Sequence, residues 1–167
     1  MQRNSSQGLT EVERQSYKAF FYASHLMGEA IERKLSEARL ESAVEYDVLY
    51  TLREAPGHRL AICEIAANLT LSHSGLSRLL DRLEKRGYVS RCTAEHDRRS
   101  VSVSLLEAGR LRVDEVWAVI ASVVEMHFGQ PLTQEEHTLL LGLMRKILPS
   151  LISAKESEAG LPFIHIV

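Results

Sequence analysis

Cysteine is nearly absent from the 167 residues: only Cys63 and Cys92 occur, and neither belongs to a C-x-x-C pair. A disulfide framework is thereby excluded, and each thiol is expected to be a small buried residue. Long apolar runs are missing too, since the longest fall well short of the ~20 residues that span a bilayer. Met1–Leu9 is polar and carries no signal peptide, so no membrane association and a cytoplasmic location are expected. There is no glycine-rich phosphate loop, no Gly-x-Ser-x-Gly elbow and no spaced acid pair with a nucleophile. Ser72-His73-Ser74 are neighbours in sequence, and adjacency does not orient a triad. Nothing here supports an enzyme. Histidines at 25, 58, 73, 96, 127, 137 and 165 form no H-x-x-x-H pair, and no local set of carboxylates or thiols completes a metal site. No metal and no cofactor are expected.

What the chain does have is ordinary globular composition, with 45% apolar residues, and a length that fits one domain or a compact domain with extra helices. Its net charge is only −2, but the charge is unevenly placed. Between Ser72 and Arg99 seven bases face four acids, a local +3, which leaves −5 for the remainder. Such asymmetry concentrates positive potential on one surface, as attraction to phosphates requires.

Thr10 with Glu13 reads as a capping box that opens a helix to about Arg39. Ser42 with Glu45 repeats it before Tyr46, Val48, Leu49 and Leu52, and Pro56-Gly57 stops that second helix. His58–Ile62 is short enough for a small strand. Beyond residue 106, Gly109–Phe128 has a helical apolar period, broken by Gly129 and Pro131. Thr133 with Glu136 caps a last helix through Leu139, Leu143, Ile147 and Leu151 that is too apolar for a lone surface helix. After Lys155 the periodicity fades, and Leu161–Val167 is an apolar tail.

The densest information lies at 64–101. A short helix over Glu64–Leu69 leads through Thr70-Leu71-Ser72 into a second helix that ends at Gly87. On a wheel of ~100° per residue, Leu76, Leu79, Leu80 and Leu83 fall in one stripe. The opposite side carries Ser74, Ser77, Arg78, Asp81 and Lys85, with Arg82 at its margin. Ser72 is the expected N-cap and His73 the first helical residue. A helix N-terminus laid in a DNA groove offers free amides to phosphate and its first exposed side chains to base edges. Tyr88–Ala94 and Ser100–Leu105 alternate as paired strands, with Val89, Val101, Val103 and Leu105 inward. Between them stands a charged tip, Glu95-His96-Asp97-Arg98-Arg99, whose arginines suit a narrow minor groove. This is the order of parts in a helix-turn-helix followed by a β-wing.

These residues resemble the MarR family of bacterial winged-helix regulators. The likeness is carried by Leu76–Val89 (LSRLLDRLEKRGYV), by the D-x-R wing signature in Asp97-Arg98-Arg99-Ser100, and by Glu45-Tyr46-Asp47-Val48-Leu49. It implies a mainly α, α+β fold in which a winged helix-turn-helix lobe at 42–106 is flanked by dimerisation helices at 10–41 and 107–153, with a tail at 154–167. It implies a homodimer on a pseudo-palindromic double-stranded DNA operator, Arg99 as the minor-groove arginine, Asp97 as its support, and Asp81 as an acid able to pair with that arginine. One departure is that Leu106 stands where the family has a hydroxyl cap before Glu-x-Gly. The function expected is repression relieved by a small molecule of phenolic or aromatic type, with Phe21, His25, Tyr46 and Tyr50 as the candidate pocket. A redox- or metal-responsive regulator of the same fold is the alternative, and a winged helix used only for protein–protein assembly is a further one.

Overall fold

The computed structural model describes residues 8–69, 73–94 and 97–159, and at 73, 93–94, 97–100 and 155–159 it describes the backbone alone. Six α-helices and a three-stranded sheet make up these residues. Helix α1 runs Glu11–Glu37 and α2 runs Ala43–Glu54. Both open on the expected capping boxes, Thr10 with Glu13 and Ser42 with Glu45, each satisfying two otherwise orphaned amides. Arg39 closes α1 in the left-handed region (φ 56°), where the Leu40 amide donates back to the Leu35 carbonyl at 2.9 Å. A tight turn at Pro56–His58 then leads into strand β1, Arg59–Ala61.

Helix α3 spans Ile62–Leu69 and begins two residues before the expected Glu64. The reason is local: the Glu64 carboxylate turns back and accepts the Ala61 amide at 2.7 Å, so Glu64 caps the helix from inside it. Helix α4 occupies His73–Lys85, with Gly87 at φ 74° just beyond it. The expected cap Ser72, with Thr70 and Leu71, lies outside the described residues.

Strands β2 (Val89–Ala94) and β3 (Asp97–Leu105) form an antiparallel hairpin, and β1 adds to the far side of β3, giving the order β1-β3-β2. The charged tip is therefore shorter than expected. Asp97, Arg98 and Arg99 belong to the backbone of β3, and Asp97 pairs with Ala94 across a register shift. Glu95 and His96 lie outside the described residues. Of the inward set, Val89, Val103 and Leu105 are buried, whereas Val101 is half-buried.

Helix α5 is Glu107–Val124, and it widens into a π turn at Glu125–Gly129. Its start falls before Gly109, on Leu106, which supplies no side-chain cap. Gly109 has another task. A β-carbon there would sit 2.3 Å from the Tyr88 carbonyl oxygen, so only glycine lets α5 lie against the start of the wing. Helix α6 covers Gln134–Ala159, opens on the Thr133/Glu136 capping pair, and carries Pro149 inside it. Among the described residues, no helix is long and apolar enough to cross a membrane.

One core joins Leu35 of α1, Val48, Leu49 and Leu52 of α2, Ile65 of α3, the α4 leucines, Val89 and Val103 of the wing, and Val113 and Val116 of α5. The end of α1 and the first half of α5 thus close the lobe's core. The first half of α1 and most of α6 stay outside this core.

Candidate nucleic-acid interface

Helix α4 is divided as the wheel predicts. Leu76, Leu80 and Leu83 are fully buried and Leu79 nearly so, each contributing about 1.5–3 kcal/mol by leaving water. Ser74, Ser77, Arg78, Asp81, Arg82 and Lys85 are exposed on the other side. The side chains of Ser72, His73, Asp97, Arg98 and Arg99 lie outside the described residues, although the backbone places His73 at the first turn of α4 and the other three beside the wing tip.

Among the expected DNA contacts Arg82 is engaged within the chain by a buried acid, and its neighbour Arg86 by another. Arg82 Nε donates to Glu45 Oε1 at 2.9 Å, and Glu45 is almost wholly buried at the start of α2. Burial alone raises the Glu45 carboxyl, but the Arg82 hydrogen bond, the Ser42 amide and the charges of Arg86 and Arg82 together hold it below its ordinary value. Arg86 Nη1 donates to Glu41 at 3.1 Å, and Arg112 on α5 donates to the other oxygen of the same buried carboxylate. Glu41 and Glu45 thus tie the end of α4 to the α1–α2 corner and to α5. These pairs lie some 37 to 71 positions apart in the chain, beyond the reach of any local signal.

Asp81 has a partner on the wing that the family likeness did not imply, while the Arg99 side chain lies outside the described residues. Asp81 Oδ1 accepts from Arg91 Nη1 at 2.6 Å. Arg91 stands on β2, and its Nη2 also donates to the Ser77 carbonyl at 2.9 Å. The sequence carried a signal for Arg91 that went unused, because strand alternation from Val89 puts it on the inner face of the wing.

The four candidate pocket residues form two pairs. Phe21 and His25 stack on exposed α1 with ring centroids 6.4 Å apart. Tyr46 and Tyr50 stack on α2 at 5.7 Å, Trp117 of α5 lies against Tyr46 at 6.5 Å, and the Arg53 guanidinium sits 4.9 Å over the Tyr50 ring. Burial pushes the Tyr46 hydroxyl up to about 12. Among the described residues no ring contact links the two pairs. An apolar cavity of about 1080 Å³ lies between α1 and α6 and is lined by Phe20, Met27, Phe128, Leu140 and Met144 among others. None of the four candidates lines it. Cys63 and Cys92 are both exposed, against the expectation of burial, because neither α3 nor β2 turns that position to the core. Among the described residues no three His, Cys, Asp or Glu side chains gather to hold a metal.

Comparison with known proteins agrees with this geometry. The MarR family model matches residues 42–101, the span from the α2 cap into the wing. The HTH-type transcriptional regulator PecS of Dickeya dadantii is 35% identical over 138 residues, 78% of this chain and 78% of its own. A MarR family transcriptional regulator from Streptomyces coelicolor, solved in complex with DNA, superposes with a TM-score of 0.79 at 27% identity, covering 98% of this chain and all of that one. AbsC, another MarR family regulator from the same organism, gives a TM-score of 0.74 at 27% identity over 87% of this chain and 98% of its own. The chain is a DNA-binding transcriptional regulator of the MarR family.

Proposed function

We propose that the protein works as a homodimeric repressor of a pseudo-palindromic operator and is released from it by a small aromatic molecule. The observation that carries this reading is the outward stripe of α4, polar and basic over a fully buried leucine face, beside a three-stranded wing. In this reading the start of α4, with Ser72 and His73, meets phosphate through backbone amides. Ser74, Ser77 and Arg78 approach base edges, and Lys85 holds the backbone further along. Arg82 contributes there only to the extent that it leaves Glu45. Arg98 and Arg99 enter the minor groove with Asp97 as support.

Residues 10–41 and 107–153 serve as the dimerisation frame and 42–106 as the DNA-binding lobe, with 154–167 as a tail. Two copies of α4 must then sit about one DNA turn apart, ~34 Å, to reach successive major grooves. A ligand shifts that spacing only if it binds the two arrangements with different affinity. The Tyr46–Tyr50–Trp117 stack between α2 and α5 suits such a ligand better than Phe21 and His25, because it lies where the lobe meets the frame.

The test is titration of the duplex upstream of the protein's own gene at several salt concentrations, repeated with a panel of aromatic carboxylic acids and phenols. Tight binding with a steep salt dependence, weakened by one class of the panel, is the expected result. Salt-insensitive or absent DNA binding would favour a winged helix used for protein–protein assembly. The exposure of Cys63 and Cys92 supports one second reading, release by thiol oxidation. Operator affinity unchanged by mild peroxide would eliminate it.

A further inference from the structure

We propose that Arg91 is a positioning residue that holds the wing in register with the recognition helix, acting through Ser77 and Asp81 without touching DNA. The inference rests on the reading of α4 as the helix in the groove. On β2, side chains of one face recur every second residue, so Arg91 shares the inner face with the buried Val89. Across the ladder its partner is Val103, also fully buried. An arginine thus occupies a position flanked by a buried valine along the strand and another across the ladder.

What that arginine does there is specific. Its Nη1 donates to Asp81 Oδ1 at 2.6 Å and its Nη2 to the Ser77 carbonyl at 2.9 Å. Its own backbone amide donates to Glu84 Oε1 at 3.0 Å, and Nη1 stands 3.7 Å from the second Glu84 oxygen. Ser77, Asp81 and Glu84 are spaced i, i+4, i+7, one stripe about 10 Å long down the flank of α4. A single wing residue grips two turns of the recognition helix. Because Ser77 is gripped through its main chain, the wing registers the helix backbone itself and not only a mobile side chain.

Two further observations argue that this clamp serves more than stability. Arg91 Nε is buried and has no hydrogen-bond partner among the described residues, a cost that an apolar side chain at the same place would avoid. The pair is also oriented acid outward, with the Asp81 side chain 49% exposed and Arg91 only 24%. An acid on a DNA-facing helix repels phosphate unless a cation is fixed against it. Arg91 fixes that cation from beneath, where it leaves the groove face open.

The experiment measures binding to the upstream duplex against salt, together with thermal melting, for full-length Arg91→Ala, Arg91→Lys, Asp81→Ala, the double variant Asp81→Ala/Arg91→Ala, and Arg99→Ala as reference. Arg91→Ala should weaken binding roughly ten- to a hundredfold and make the salt dependence shallower, since wing–phosphate contacts drop out of register. Its melting should stay close to that of the parent, and Arg91→Lys should recover part of the affinity. Asp81→Ala keeps the Ser77 contact and should bind nearly as the parent does. The double variant should remain as weak as Arg91→Ala. Recovery of parental affinity in the double variant would overturn the inference, because Arg91 would then only cancel the charge of Asp81. Parental affinity and salt slope in Arg91→Ala would overturn it as well. If Arg91→Ala does not fold, Arg91→Lys decides alone: a shallower slope supports the clamp and an unchanged one overturns it. Should Arg99→Ala also be silent, the groove reading itself falls; if only the Arg91 variants are silent, the groove reading stands.

Discussion

Every leucine of α4 is buried by the same chain that carries it, whereas many large apolar side chains of early α1 and of α6 stand in water. Phe20 is 57% exposed, and Tyr17, Phe21, Tyr22 and Leu26 beside it are similar. On α6, Leu139, Leu143, Ile147 and Leu151 are exposed as well. Exposed apolar surface on this scale marks an interaction site in a folded protein. The lobe buries its apolar side chains in a core shared with Leu35 of α1 and Val113 and Val116 of α5, whereas the apolar faces of early α1 and α6 have no such cover among the described residues. The difference teaches where a partner can act: the lobe is packed on a continuous core, while the apolar faces of early α1 and of α6 are open to another surface.

The strongest way to break this comparison is a charge in the frame. Leu141→Asp alters a side chain that is already exposed and lines the α1–α6 cavity, so the lobe should lose no more than about 0.5 kcal/mol. Dimerisation should nonetheless fail, and operator binding with it, as read by sedimentation and by gel shift. A Leu141→Asp chain that stays dimeric would show that the frame is completed elsewhere. Next in size is Arg99→Ala in the lobe. It should leave the dimer intact and weaken operator binding by about a hundredfold, because the dimer loses the contact twice.

The two regions were unequally legible in the sequence, and the reason is distance along the chain. Helix starts at Thr10, Ser42 and Thr133 were readable because each cap and its glutamate lie three residues apart. The buried face of α4 was readable because four leucines declare it within two turns. What escaped depends on pairs that only the fold creates. No local signal reports that Glu45 is brought to Arg82, or that Arg91 reaches Asp81. Phe21, His25, Tyr46 and Tyr50 read as one pocket because nothing local reports how far α1 stands from α2. The cysteines failed for a related reason, since a small residue can sit on either face of a short helix or an edge strand.

Glu41 lies on the seam between the two regions and gives the next test. Glu41→Gln leaves Arg86 and Arg112 without their shared carboxylate. Arg86 is 42% exposed and retains Glu45 at 3.7 Å, so water and the neighbouring acid offset part of the loss. Destabilisation of about 1–2 kcal/mol is expected in chemical denaturation. Acid should act on the same seam. The folded Glu45 carboxyl is held below its ordinary 4.5, so its contribution is fully present above that pH and is lost as pH falls through the lowered value. Melting temperature should therefore drop on acidification below about pH 4.5, and Glu45→Gln should flatten that part of the profile.

The smallest effect sharpens the comparison most cleanly. Arg39 forms the corner at which the frame helix α1 hands over to the lobe, and it holds φ at 56° without being glycine. A side chain there costs about 1 kcal/mol through crowding of its β-carbon against the backbone. Arg39→Gly removes that crowding but gives the unfolded chain more freedom to lose. The two terms nearly offset, which leaves an expected gain of a few tenths of a kcal/mol, on the order of a 1–2 °C rise in melting temperature. The left-handed corner is retained by the Leu40-to-Leu35 bond whatever residue stands at 39, so the angle between frame and lobe should not change. Operator affinity should match the parent. A stabilised variant that binds its operator differently would mean that the corner is a hinge, and that the geometry of the two reading heads is set there and not in the α1–α6 packing.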